Sequence, residues 1–492
     1  MKKVTLFPLL VLATIGLNLT SLSSRPTSLS SRLTPLNSQP KPLVFTHVTV
    51  IDATGAPAQT DMTVVITGNR ITEVGPSTNV SAPKDAQVVD ATGKFLIPGL
   101  WDMHVHWFRY GKTFLQLFPA NGVTGVRIMW GGPIHFEWRK EIQERTLLGP
   151  RMIIAGNILD GPRPIWPSSL AISNEADARQ AVIDTKQQGY DFAKVYSRLP
   201  RKAYFAIADE AKKQSIPFAG HVPQSISVAE ASDAGQKSIE HLTGILVACS
   251  TREEELRRNL EDAFRPQPGG RLPNLSLLRP MTRLTLETFS TQKANALFAR
   301  LKQNHTWQCP TFTVLRSGAF INDPKFRNDP RLKYMPRQLR AAWDPSNDFR
   351  FKTRTAEDFN LSRRVYKKQI ELVGLMHRAG VEFIAGTDVL NPFCFPGFSL
   401  HDELAILVEA GLSPMEALQT ATLNPARFLG KEKELGTVAQ GKIADLVLLE
   451  ANPLEDIRNT TKINSVVVDG RLLDRKALDE LLARVQAIAQ KH

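Results

Sequence analysis

Three cysteines stand in 492 residues, Cys249, Cys309 and Cys394, and no two are spaced as a CxxC pair. That scarcity argues against a disulfide framework, a zinc ribbon or a thiol redox motif, and the odd count leaves at least one thiol unpaired within the chain. Acidic residues are the minority, 48 Asp and Glu against 61 Lys and Arg, for a formal net charge of +13. No dense basic stripe interleaved with aromatics is present, so nucleic acid is not an expected partner. The charge reads instead as a solvated surface able to steer acidic ligands. The pattern of a polytopic membrane protein is lacking, as is a lipobox cysteine. Gly131-Gly132 lacks the spacing of a phosphate loop.

What is there begins with one apolar run. Lys2 and Lys3 precede an apolar stretch from Val4 to about Leu19, the charged and apolar regions of an export signal. Residues 1–23 are therefore expected to be a signal peptide, cleaved near Ser21-Leu22-Ser23. The mature protein is then periplasmic or secreted with no stable membrane span, an uncleaved N-terminal anchor being the other outcome. Residues 24–42 are rich in Ser, Thr and Pro and read as a flexible linker. At 42% hydrophobic and 22% charged residues, the rest suits one large globular domain and a smaller one. A homo-oligomer stays open.

Residues 43–98 alternate apolar runs with Gly and Asn turns, the pattern of antiparallel hairpins. Residues 432–478 return to it in Asp445–Leu449 and Ser465–Gly470. The two flanks are expected to pair into one composite β-sandwich domain. Between them, residues 99–431 alternate short apolar runs with helical stretches. The candidate strands are Phe95–His106, Val123–Met129, Arg151–Ala155, Phe192–Tyr196, Pro217–His221, Ser238–His241, Trp307–Leu315 and Phe383–Asp388. Helical periodicity marks Phe136–Leu147, Glu175–Gln188, Arg201–Gln214 and Leu361–Ala379. Eight strands in such alternation predict an α/β fold, a TIM (β/α)8 barrel. Residues 250–360 exceed what a strand–helix connection needs and read as an elaborated insertion over one side of the barrel mouth.

Chemistry concentrates at the strand ends. In Pro98-Gly99-Leu100-Trp101-Asp102-Met103-His104-Val105-His106, the two histidines stand two apart and project to one face, where they can share a metal. Lys194 interrupts the apolar run Asp191–Tyr196. His221 ends Phe218–His221, His241 ends Ser238–His241, and Asp388 ends Phe383–Asp388. Taken singly, each has an ordinary structural explanation: a core histidine, a capping aspartate, a lysine snorkelling from a strand edge. As an ordered set in a chain with ten histidines they point to one site. Tyr196 shares the face of Lys194 and is a candidate substrate contact. His135, after the second strand, is another. His377 and His401 are not expected to be ligands.

This series resembles the metal-ligand set of the amidohydrolase superfamily, most closely its imidazolonepropionase-like and prolidase-like branch. The stretches Ala417–Arg427 and Gly436–Val447 strengthen the likeness, which spans about residues 43–475. The resemblance implies two divalent metal ions, by default Zn2+. His104, His106 and Asp388 would hold the more buried ion and His221 and His241 the other, with a CO2-derived carbamate on Lys194 bridging them. It also implies a metal-bridged hydroxide with Asp388 as general base and acid. The implied substrate is a small molecule or short peptide cleaved at a C–N bond, a dipeptide or an N-acyl amino acid. A mononuclear cyclic-amide hydrolase or deaminase is the alternative, and a non-catalytic binding protein on the same fold a third. The chain departs from the pattern after the second strand, where Arg127-Ile128-Met129-Trp130-Gly131 replaces an acidic residue and glycine.

Overall fold

The computed structural model describes residues 41–106, 111–264 and 275–491. The expected signal peptide, nearly all of the expected linker and the Pro/Gly-rich stretch 265–270 lie outside them.

The flanks join as one sheet. Val- and Ile-rich strands Leu43–Val50, Gln59–Thr67 and Arg70–Pro76 pair antiparallel, turning at Gly68, whose φ of +62° suits glycine. Phe95–Pro98 lies parallel to the first of these strands and antiparallel to Leu446–Leu449, in the register Leu446↔Pro98 to Leu449↔Phe95. Ile463–Val468 and Arg471–Leu473 continue the sheet beyond, and Gln87–Asp90 pairs with Leu43–Val50. Alternating residues from both flanks, among them Phe45, Val64, Ile66, Leu96, Leu446 and Leu448, bury one face together. Each flank thus supplies the apolar cover that the other lacks.

The barrel strands are β1 (Leu100–Val105), β2 (Val123–Ile128), β3 (Arg151–Asp160), β4 (Phe192–Val195), β5 (Phe218–Gly220), β6 (Ser238–Glu240) and β7 (Trp307–Cys309), parallel neighbours in chain order. Residues 382–389 take the eighth place. Ile384 N–H donates to Gln308 O at 3.0 Å on the β7 side, and Met103 N–H donates to Ala385 O at 2.8 Å on the β1 side. Isolated bridges Gln308↔Phe383 and Val105↔Val389 complete the ring. With helices such as Glu175–Gln187, Arg201–Lys213 and Ala356–Arg378 between or after its strands, this is a TIM barrel.

Two expected strands need correction. Phe95–His106 is two strands in two sheets, parted at Gly99. There the Gly99 N–H donates to Asp445 O, the Leu100 N–H already belongs to Gly122 O, and a Cβ at Gly99 would sit 2.3 Å from Thr124 Oγ1. Trp307–Leu315 stops being a strand at Cys309. Pro310 has no N–H to offer a ladder, and Thr311 turns left-handed at φ 52°. The helix Phe312–Phe320 then begins, its first N–H groups donating to the buried Glu403 carboxylate at 2.8 Å each.

The 250–360 region holds helices Glu253–Phe264, Leu275–Glu287 and Thr291–Gln303 before β7, and Phe312–Phe320, Pro324–Arg327 and Arg337–Ala342 after it. The later part reaches the loop that follows the eighth strand position. Trp343 Nε1–H donates to Leu390 O at 3.2 Å, and Arg350 donates to Asn391 Oδ1 at 2.7 Å. Asn391 in turn donates to the backbone O of Asp388 at 2.9 Å. A C-terminal helix, Arg475–Lys491, buries Leu478, Leu481, Val485 and Ala489 on one stripe.

Candidate active site

The C-terminal ends of β1, β4, β5, β6 and the eighth segment bring six side chains together. His104 and His106 project from β1 with their Nε2 atoms 3.2 Å apart. Asp388 Oδ1 lies 3.0 Å from His106 Nε2 and 3.4 Å from His104 Nε2. The His241 ring centre is 4.6 Å from that of His104 and 4.9 Å from that of His221. Ligand atoms of His104, His241 and Asp388 all fall within 4.8 Å of one another. Lys194 is buried on β4, close enough that its charge acts on His104, His221 and His241.

The backbone is shaped for this convergence. His241 and Asp388 adopt left-handed φ values of 58°, at a cost on the order of 1–3 kcal/mol each, so extended geometry ends at both. Gly386 packs so closely under His104 that a Cβ there would lie 2.6 Å from Cys309 Sγ and 2.7 Å from His104 Cβ. No larger residue fits beneath the imidazole.

Polar partners orient the rings from behind. His104 Nδ1 lies 2.7 Å from Glu240 Oε2, His221 Nδ1 lies 2.8 Å from Ser197 Oγ, and His241 Nδ1 lies 2.6 Å from Thr311 Oγ1. For His104 this leaves Nε2 to face His106 and Asp388, while His241 Nδ1 also lies 3.8 Å from Asp388 Oδ2. Glu240 is itself held by Arg127, whose Nη2 donates to its two oxygens at 2.9 and 3.0 Å. Arg127 also donates to Met103 O and Ser238 Oγ. Asp102 accepts from the Thr387 hydroxyl, the Thr387 N–H and the His104 N–H, which ties the end of β1 to the closing segment.

Burial, and then the positive charge of Lys194, push His104 well below the ordinary imidazole range. Burial and the neighbouring His241 do the same to His221, and burial brings His241 down to about 4. The rings are therefore neutral near pH 7, with lone pairs free to ligate. Burial pushes the Lys194 ammonium down to about 8. Burial would raise Asp388, but His241, His104 and His106 outweigh it and hold the carboxyl well below the usual range. Lys194 Nζ and Asp388 Oδ1 are buried without a hydrogen-bond partner. Two orphaned polar atoms amid neutral imidazoles suit a cation that the side chains would jointly hold.

Of the candidate substrate contacts, Tyr196 lies beside the cluster, its ring centre 4.0 Å from that of His221. The Trp166 Nε1–H donates to its Oη at 2.9 Å. His135 is placed at the start of the helix Pro133–Gln143, buried, accepting the Gly132 N–H at 3.0 Å. His401 joins Thr460 Oγ1 and Asn121 O, and His377 pairs with Glu416. Glu240, Arg127, Asp102, Ser197 and Thr311 are functional neighbours not singled out from the sequence. The one available signal was a carboxylate directly before a candidate ligand in Ile239-Glu240-His241.

A barrel with its histidines and aspartate at the C-terminal mouth and a sheet built from both flanks defines a class that comparison makes specific. A family model described as Amidohydrolase family matches residues 95–473, and the chain belongs to that family. Ochratoxinase of Aspergillus niger is 24% identical over 426 residues, covering 74% of this chain and 72% of that protein. Among solved structures, bottromycin amidohydrolase superposes with a TM-score of 0.72 at 24% identity, covering 91% of this chain and 90% of that one. A Xaa-Pro dipeptidase gives 0.61 at 20% identity, covering 88% and 100%. The protein is a hydrolase acting on carbon–nitrogen bonds, which sets aside a non-catalytic binding protein.

Proposed function

We propose that the protein is an exported metal-dependent hydrolase that cleaves the amide or peptide bond of a small substrate, a dipeptide or an N-acyl amino acid. The observation that carries this reading is the contact of His104 Nε2 and His106 Nε2 with Asp388 Oδ1 at 3.4 and 3.0 Å, beside an unpartnered buried lysine. The names of the similar proteins, an ochratoxinase, a Xaa-Pro dipeptidase and a bottromycin amidohydrolase, support an amide-type bond.

His104, His106, His221, His241 and Asp388 would hold two divalent ions, Zn2+ by default, with Lys194 between them. A divalent metal supplies a lowered water pKa and polarisation of the substrate carbonyl. Lys194, its ammonium weakened by burial, would add CO2 through its neutral amine, forming an N–C bond and releasing a proton, and the carbamate so formed would offer the ions an anionic group. Asp388, held ionised, would take the proton of the attacking water and return it to the leaving nitrogen. Tyr196 would bind the substrate carbonyl. Indole donates only, so Tyr196 Oη accepts from Trp166 and keeps its own proton to give, and burial raises its pKa further.

One observation favours the alternative of a mononuclear cyclic-amide hydrolase or deaminase. The tight group His104, His241 and Asp388 joins residues that the two-metal scheme assigns to different ions. Metal analysis of the purified protein, with a screen of Xaa-Pro, Xaa-Arg and N-acyl amino acids, decides the matter. Two equivalents of metal and dipeptide or N-acyl cleavage are expected. One equivalent, with deamination or ring opening instead, would overturn the binuclear reading.

A further inference from the structure

A cavity of about 310 Å3 lies under the opposite end of the barrel, bounded by residues at the starts of β4, β5 and β6. Phe192, Pro217 and Phe428 give it apolar walls, and Arg127, Lys237 and Lys431 give it cations. Asp191, an acid on its lining, is already engaged by Arg139 at 2.8 Å and by the Ile154 N–H at 2.7 Å. Arg127 is also engaged, its charge matched by Glu240 on the side toward the active site.

Lys237 is the exception. It is half-buried, and no carboxylate pairs with it among the described residues. Its Nζ lies 4.7 Å from the centre of the Phe428 ring, and the Arg127 guanidinium lies 5.0 Å from the same centre. A cation that has lost part of its hydration, with another cation against the same aromatic ring, is stabilised by an arriving anion more than an exposed lysine would be. Burial and Arg127 both depress the Lys237 ammonium, in keeping with that deficit. Lys431, the other lysine on the lining, is exposed to solvent, so Lys237 is the one partly buried ammonium left to pair and a single negative charge is matched. The rest of the wall offers an aromatic face and aliphatic carbons, which suit an apolar body.

We propose that this floor cavity is a second ligand site, separate from the hydrolytic centre, for a small monocarboxylate with an apolar body, Lys237 holding the carboxylate and Phe192 and Phe428 flanking the body. Neutral analogues lack the charge that Lys237 needs, and small polyanions lack the body that the walls desolvate.

The test is calorimetric titration of the full chain with benzoate, benzamide and inorganic phosphate, in wild type, Lys237→Met and Lys237→Gln. Saturable benzoate binding is expected, weakened about tenfold or more in both variants, with hydrolytic activity and thermal midpoint unchanged. Benzamide and phosphate are expected to bind far more weakly than benzoate. Benzoate affinity equal in wild type and variants would place benzoate elsewhere and overturn the proposal. Benzamide matching benzoate would remove the role of charge, and phosphate matching benzoate would remove the role of the apolar walls; either also overturns it.

Discussion

His104 and Glu240 meet through Nδ1 and Oε2 at 2.7 Å, both fully buried, although 136 residues separate them. The contact orients His104 so that Nε2 faces His106 and Asp388. Arg127 holds the carboxylate in place, a role that explains a buried arginine at the inward register of β2. Burial opposes ionisation of Glu240, but Arg127 and Lys194 outweigh it and keep the carboxyl below its usual range.

Glu240→Gln should therefore weaken metal retention while leaving the fold. A loss of about 10–100-fold in metal affinity is expected, read by chelator competition, with the circular dichroism spectrum unchanged. Glu240→Ala should cost more, because it also leaves the Arg127 guanidinium buried without its partner. Equal metal affinity in wild type and Glu240→Gln would refute the positioning role.

Asp388→Asn keeps the size of the side chain and removes its basicity. If Asp388 carries the proton, kcat should fall by about 10²–10⁴-fold while the thermal midpoint changes little. Steady-state kinetics on the best substrate of the screen measure this, and near-normal kcat would return Asp388 to a purely structural part.

Tyr196→Phe removes the hydroxyl proton but keeps the ring against His221. A fall in kcat of about a hundredfold is expected for loss of one donor to the developing oxyanion, with KM changed less. Trp166→Phe leaves Tyr196 its proton and removes only the indole donor, so it should give a smaller effect of the same kind. A larger effect from Trp166→Phe than from Tyr196→Phe would point to Trp166 as the substrate contact.

The strand-end residues were legible because barrel geometry is periodic. Alternation put His104 and His106 on one face, and a polar residue closing an apolar run marked His221, His241 and Asp388. What pairs with them was not legible. Ser197 and Thr311 reach His221 and His241 only after the ring closes, from loops whose paths depend on neighbours such as Glu403. The exchange of sheets at Gly99 was hidden within one apolar run, since both halves of Phe95–His106 are buried. The eighth segment read as a strand, yet it meets its neighbours through two isolated bridges and a few backbone bonds. Its residues serve the site, and Asp388 leaves extended geometry to do so.

Glu403 gives the fold a pH dependence of definite sign. Its carboxyl is fully buried at the N-terminus of the helix Phe312–Phe320, accepting the Phe312 and Thr313 N–H groups, and burial pushes it up to about 8. A carboxyl whose pKa is raised by folding favours the folded state while it is protonated. That contribution is complete below the unfolded value of about 4.5 and is lost as pH rises toward 8. Glu403→Gln cannot ionise, so it should flatten this part of the profile. It should also be less stable throughout, because its amide nitrogen would meet an N–H where an oxygen now accepts one. Denaturant midpoints from pH 5 to 9 separate the two effects, one being an offset and the other a slope. The same slope in wild type and Glu403→Gln would assign the pH dependence to other groups, Asp102 first among them, since burial pushes it up to about 7.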